Sequence, residues 1–191
     1  MKNLKTILLV CFLASIFSIQ KTFSQAYEQG QLTVSPGIMF GGLGIYNSGA
    51  GIPVVASAEY GVSDMLGVGP FIGYASYGYG VPGFRYRWTF SSVGVRVDFH
   101  YWELLEETLE TDLNSEQFDL YVAALAGYRF ARYTTSDGVT VGGNTFSYGD
   151  GAAIAITVGG RYYFNPKIAV FLEAGRALFG LTNVGVTIKL K

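Results

Sequence analysis

Eight charged residues stand singly in segments otherwise built of small or apolar residues: Glu59, Asp98, Asp119 and Glu173 against Arg96, Arg129, Arg161 and Lys189. All eight share the parity of the small-residue face of their segments, so extended chain carries them to one side. Charges taken out of water must be paired. The even tally of four acids and four bases suits a cross-linked polar interior. The same set would serve a gate or a proton path. We adopt the salt-bridged reading, because removing one partner of a buried pair typically costs ~3–5 kcal/mol.

Other chemistry is thinly provided for. His100 is the one histidine, and it sits at the end of its segment, where a structural role fits better than that of a base. No Ser/His/acid constellation gathers at the opposite ends of the segments. One His and one Cys, Cys11, do not make a transition-metal ligand set. Asp137, Asn144 and Asp150 fall in one polar stretch that would hold Ca²⁺ loosely, although loops of this composition are common without a ligand. No phosphate-binding loop is present. We therefore assign no catalytic residue, cofactor or metal, and expect no enzymatic activity.

The segment 101–119 holds seven acids and no base. Trp102, Leu105, Leu109 and Leu113 recur at helical spacing with Glu103, Glu106, Glu107 and Glu110 between them. This predicts a short acidic amphipathic helix over 102–113. It would cap an opening, lie at an interface or dock a partner, and its acidity argues against attraction to anionic lipid.

The elements that position these residues follow from composition and periodicity. The chain has 191 residues, half of them hydrophobic and only 14% charged, with 26 Gly, 14 Tyr and 14 Phe. An ordinary soluble domain is about 25% charged. The balance excludes disorder, and a net charge of −1 without a basic stripe excludes nucleic-acid binding. Lys2 and Lys5 precede an apolar run from Ile7 to Ile19, the form of a secretory signal. The run is shorter than the roughly 20 residues of a spanning helix. We expect residues 1–26 to be a signal peptide, with Ser24 and Ala26 placed for a cut after Ala26 and Thr22 and Ser24 for one after Ser24. Its removal leaves 10 basic and 14 acidic residues, and no cysteine for a disulfide scaffold.

From there on, apolar and small residues alternate with period two, broken by Gly, Asn, Asp, Ser and Pro clusters. Eight strands are predicted, near 31–41, 52–61, 65–77, 85–101, 118–133, 151–164, 168–178 and 182–190. Tight turns at 61–64 and 165–167 alternate with longer connections at 42–51, 78–84 and 134–150. The non-bulky face is too small to meet water. Turned inside out it is coherent, with aliphatics toward lipid and small or charged residues filling a narrow interior. Closure then satisfies every backbone group. Aromatics fall near the strand ends: Tyr60, Phe99, Tyr101, Trp102, Tyr162 and Phe164 at one, and Phe40, Tyr74, Tyr77, Phe84, Tyr86, Trp88, Phe130 and Phe179 at the other. Pro36 and Pro70 interrupt predicted strands and are read as bulges. Arg176 has lipid-face parity, which suits only the headgroup level.

The motifs Ala58-Glu59-Tyr60-Gly61-Val62-Ser63-Asp64, Gly94-Val95-Arg96-Val97-Asp98-Phe99-His100-Tyr101, Phe118-Asp119-Leu120-Tyr121, Gly160-Arg161-Tyr162-Tyr163-Phe164-Asn165 and Phe171-Leu172-Glu173-Ala174-Gly175, leading to Asn183-Val184-Gly185-Val186, resemble those of Bacteroidetes-type outer membrane β-barrel proteins. These are architecturally akin to OmpA, OmpX and OmpW. The ending Leu190-Lys191 departs from the terminal aromatic common in such barrels. The resemblance implies an all-β fold over 27–191: an eight-stranded antiparallel up-and-down transmembrane barrel, with a periplasmic helix between the fourth and fifth strands. The expectation is a monomer in outer-membrane lipid with a plugged polar core and a structural or surface-interaction role, with a possible extracellular ligand on loop 134–150. A passive channel for small or hydrophobic solutes is the alternative, and a lipid-modifying enzyme the third. Lysine at Val186, on the lipid face, is expected to cost ~2–4 kcal/mol, and at Thr187 less.

Overall fold

The computed structural model describes residues 26–41, 51–81, 84–111, 114–135, 140–142 and 149–190. Its strands are β1 (Leu32–Phe40), β2 (Val54–Gly61), β3 (Leu66–Val81), β4 (Phe84–His100), β5 (Phe118–Thr135), β6 (Thr140–Gly142), β7 (Gly151–Asn165), β8 (Ile168–Arg176) and β9 (Thr182–Lys189). One helix, α1 (Trp102–Leu109), lies between β4 and β5. The order β4-β3-β2-β1-β9-β8-β7-β5 closes through β4–β5 pairing, and every neighbouring pair is antiparallel. The result is an eight-stranded barrel. The three-residue β6 pairs with β5 above the point where β7 leaves it.

Two connections differ from expectation. The β3–β4 ladder continues to Val81↔Phe84, so residues 78–81 and 84, expected in a loop, are strand. The stretch 134–150 is likewise shortened by the end of β5 and by β6. Tyr79, Val81, Phe84, Thr134, Thr135, Thr140 and Val141 lie there, and such residues favour pairing wherever a neighbour strand continues. The walls are therefore unequal: β3, β4 and β5 have 16, 17 and 18 residues, against 8 or 9 in β1, β2, β8 and β9.

Alternation places the residues as the face pattern requires. Val93, Val95, Val97, Ile154, Ile156, Val158, Val170 and Leu172 are exposed on the exterior. Thr33, Ser57, Phe71, Ala123, Ala155, Thr157, Ala169 and Thr187 are buried inside. Such an exterior cannot meet water over its whole height, whereas hydrocarbon suits it. Exposed aromatics mark the edges of the band. Tyr60, Phe99, Phe118 and Phe164 form the lower edge, and Phe40, Tyr74, Tyr128 and Phe130 the upper. On β5, Phe118 and Tyr128 stand ten residues apart. That is about 25 Å of height at about 3.3 Å per residue and a tilt near 40°, the thickness of a lipid-facing belt.

Tyr77, Tyr86, Trp88 and Phe179, expected in the outer girdle, are turned inward instead. Tyr77 packs beside Phe90, and Trp88 lies 6.1 Å from Phe90 and 4.8 Å from Tyr133, centroid to centroid. Their parity, shared with Ala75 on β3 and with Arg96 and Asp98 on β4, is what turns the three strand residues inward. Phe179 and Leu178 belong to the short β8–β9 connection, which tucks into the barrel. Phe179 is buried among Met39, Val55 and Ala75, and Leu178 packs on Phe71, Tyr121 and Leu125.

The prolines are not bulges. Register is constant through Pro36 in both ladders of β1 and through Pro70 in both ladders of β3. Each interrupts only one flank. Ser35 and Pro36 have no partner on β9, and Gly69 and Pro70 none on β2. The missing donor is thus confined to one side of one strand. Gly185 lies against the Pro36 carbonyl, where an added Cβ would not fit. The register shift that does occur lies at Tyr163/Asn165.

The lower opening is covered by residues 26–31, a role the sequence suggested for the helix. Ala26 N–H donates to the Ser115 carbonyl at 3.0 Å, and Gly30 N–H to that of Gly61 at 2.8 Å. Ala26, Tyr27 and Gln31 are buried. In contrast, α1 buries no residue and ends at Leu109, short of the predicted 113, where Glu110 takes a left-handed φ of 49°. Leu113 lies outside the described residues.

Candidate functional site

The lower half of the interior holds the charged side chains. Three come from β4, where period two puts Arg96, Asp98 and His100 on one inward line. Arg96 donates to both Asp98 carboxylate oxygens at 2.8–2.9 Å from Nε, and its Nη2 lies 2.6 Å from Glu173 Oε1 on β8. From β7, Arg161 Nη2 donates to Glu59 Oε2 on β2 at 2.6 Å, and Nη1 lies 3.5 Å from Asp119 Oδ2 on β5. In the closed strand order β7 and β2 stand opposite each other, and β4 and β8 nearly so. Arg161–Glu59 and Arg96–Glu173 therefore span the lumen.

His100 joins the two flanks, with Nδ1 2.7 Å from Asp119 Oδ1 and Nε2 2.8 Å from Glu59 Oε1. Carboxylates accept hydrogen bonds, so an imidazole held between two of them donates from both nitrogens and carries a proton on each. Tyr27 stacks on the ring at 3.5 Å with 9° between planes. Burial, reinforced by the Glu59 carboxylate, pushes the Tyr27 hydroxyl up from its ordinary value, so it stays a neutral phenol. Tyr121 Oη donates to Glu173 Oε1 and Asn183 Nδ2 to Glu173 Oε2, each at 2.9 Å. Arg161 lies 4.5 Å over the Tyr121 ring. Gly159 is what admits that ring, since a Cβ there would stand 2.6 Å from Tyr121 Cζ.

Six of the eight residues singled out in the sequence are thus brought together: Glu59, Arg96, Asp98, Asp119, Arg161 and Glu173. Arg129 is placed apart from them, and Lys189 lies at their lower edge, within the field of Asp119. Arg129 sits higher, half-buried, with Nη2 3.4 Å from the Gly149 carbonyl and its guanidinium 5.7 Å from the Phe90 centroid. Lys189 lies 4.6 Å over the Tyr163 ring near the lower end. His100, which was not among the eight, takes part in the network where Arg129 does not. Its parity with Arg96 and Asp98 was the available signal, and its position at a strand end concealed it. Tyr121, Asn183 and Tyr27 carry no such signal, because a tyrosine or asparagine on an inward position is equally compatible with plain packing. Of the polar stretch considered for Ca²⁺, Asp137 and Asn144 lie outside the described residues, and Asp150 accepts the Ala131 N–H at 2.7 Å.

The fold and its charged interior define an eight-stranded antiparallel membrane-type β-barrel. No protein-family model matches the sequence, and no curated protein matches it. Among solved structures, Neisserial surface protein A is similar, with 13% identity, 85% of this chain and 98% of that chain covered, and a TM-score of 0.55. The N-terminal β-barrel domain of Pseudomonas aeruginosa OprF has 14% identity over 85% of this chain and 98% of that one, with a TM-score of 0.45. Ail, the attachment invasion locus protein of Yersinia pestis, has 13% identity over 84% and 95%, with a TM-score of 0.44. The match to Neisserial surface protein A shows the architecture over 85% of this chain.

Proposed function

We propose that this is a small outer-membrane β-barrel whose interior is closed by its own side chains, with a structural or surface-interaction role in the cell envelope. The observation that carries the reading is the pair of ion pairs across the lumen, Arg161–Glu59 and Arg96–Glu173, each at 2.6 Å. A barrel of eight strands is only wide enough for side chains to fill. Here they meet in the middle, under a second tier of apolar residues from the β8–β9 connection. The histidine supports a non-enzymatic reading, since both of its nitrogens are committed to carboxylates beneath Tyr27. The tall β3–β5 wall supports surface interaction, because it carries Trp88 and Tyr133 beyond the upper aromatic edge. The narrower likeness to Bacteroidetes-type barrels rests on the sequence motifs.

The test is conductance. The chain without its signal, refolded in detergent and checked by heat-sensitive gel mobility, is expected to stay silent in a planar bilayer. Discrete openings from the folded species would overturn the plugged reading and recast the charges as a gate. Export makes a second expectation. Ala26 packs with Tyr163 and Ala169 at the lower seal, and a cut after Ala26 would remove it. The burial favours cleavage after Ser24. Mass spectrometry of the exported chain is expected to find Gln25 first; a chain beginning at Tyr27 would contradict this.

A further inference from the structure

The outward surface carries opposite charge at its two ends. Above the edge marked by Tyr128 and Phe130, exposed outward positions of β4 and β5 hold Arg85, Arg87 and Arg132, and Arg176 is exposed at the upper end of β8. Surface acids gather at the other end, where Glu28, Asp64, Glu107, Glu110 and Glu116 are exposed. At the upper end the described acid is Asp150, whose carboxylate already takes the Ala131 N–H. Among the described residues no carboxylate pairs with any of these four arginines.

Register makes two of them a unit. Arg87 lies opposite Thr134 and Thr89 opposite Arg132, so Arg87 and Arg132 are diagonal neighbours on one face of adjacent strands. Diagonal neighbours stand about 7–8 Å apart, and two arginine stems converge readily over that span. A guanidinium fork matches phosphate oxygens two at a time. Arg132 is also the next outward residue after Phe130 on β5. A side chain at that height leaves the hydrocarbon at the headgroup layer, its stem on the apolar edge and its charge beyond it.

We propose that this face binds the phosphate groups of anionic lipid headgroups in the leaflet on the long-wall side of the barrel. Arg87 and Arg132 clamp one phosphate, and Arg85 and Arg176 add to the attracting field. The proposal rests on the membrane-barrel reading above and extends it by naming the lipid chemistry. Basic residues that no described carboxylate pairs, set at one edge of the belt while described surface acids gather at the other, are complementary to an anionic surface on one side only.

The test uses the signal-free chain folded in neutral detergent, with its heat-sensitive mobility confirmed before lipid is added. Phosphatidic acid and phosphatidylcholine are offered in equal amounts, and retained lipid is read by native mass spectrometry. The wild-type barrel is expected to retain phosphatidic acid preferentially. R87Q and R132Q should each reduce that preference about fivefold, and R87Q/R132Q should nearly abolish it. K167Q, at the acidic end, should leave it intact. Equal retention of the two lipids by wild type, or an undiminished preference in R87Q/R132Q, would overturn the proposal. So would complete displacement by inorganic phosphate, which would make the site one for free anions. A wild-type chain lacking the folded, heat-sensitive band strikes the barrel reading instead, so the two failures are distinguishable.

Discussion

Replacing Arg161 by methionine is expected to destabilise the folded barrel by ~3–5 kcal/mol, the usual result of removing one partner from a buried ion pair. The guanidinium serves Glu59 at 2.6 Å and Asp119 at 3.5 Å, and both carboxylates are almost wholly buried. Methionine fills much of the volume, so the loss is electrostatic more than a cavity. Glu59 keeps His100 at 2.8 Å and Asp119 keeps it at 2.7 Å. One imidazolium then faces two carboxylates, and the buried cluster is left with one positive charge fewer. Urea unfolding in lipid vesicles, followed by the fluorescence of Trp88 and Trp102, reads the effect. An unchanged midpoint would mean that the pairs across the lumen do not hold the interior together.

The double variant R161M/E59Q separates network from packing. Removing the charge that Arg161 opposes should recover part of the loss, giving a coupling of about 1 kcal/mol or more. Full additivity would mean the two residues act independently despite their contact. Recovery also explains why the pairs need not add net stability. The same interior filled with apolar residues could be as stable or more so. What the charges add is a fixed cross-lumen geometry, in which β7 is tied to β2 and β4 to β8.

Inside and outside were legible in the sequence because period two and residue size vary together. Val93, Val95 and Val97 alternate with Gly94, Arg96 and Asp98, and the structure separates them accordingly. Height was not legible. Arg129 has inward parity on β5, ten residues above Asp119 on the same strand, and that distance removes it from the network. His100 looked like a rim residue because its strand ends there. It becomes interior only because Tyr27 covers it, and residues 26–31 have no periodicity to announce a seal. Phe179 shows the same limit at the other end. Its stretch, Ala177-Leu178-Phe179-Gly180-Leu181, is too apolar for a solvated loop, and that was a readable sign that it turns inward. Tyr77 and Trp88 were taken for girdle aromatics by their nearness to strand ends, but Tyr77 shares the parity of Phe71 and Ala75, and Trp88 that of Arg96 and Asp98, which turns both inward. Strand ends depend on neighbours distant in sequence, and the one bound that missed by more than two residues is the upper end of β3, expected at 77 and found at Val81.

Lysine at Thr187 is expected to be more damaging than lysine at Val186, the reverse of the ranking that parity alone suggests. Val186 is 38% exposed on the lipid face, and a charge there should cost ~2–4 kcal/mol near the midplane. Thr187 is fully buried, with its hydroxyl 2.9 Å from that of Ser35. A lysine at that site overfills the interior, at ~1–3 kcal/mol, and brings in a charge for which Glu59, Asp98, Asp119 and Glu173 are already engaged by Arg96, Arg161 and His100. The parity-based ranking assumed that an inward position meets room or water. Thr187→Val separates volume from charge, since it keeps the size and removes one hydrogen bond, and its loss should stay near 1 kcal/mol. Folding yield and urea midpoints of the three variants read the order directly. Were Thr187→Lys the mildest of the three, the lumen would have to hold water at that level. The plugged interior would then be wrong, whatever the conductance record showed.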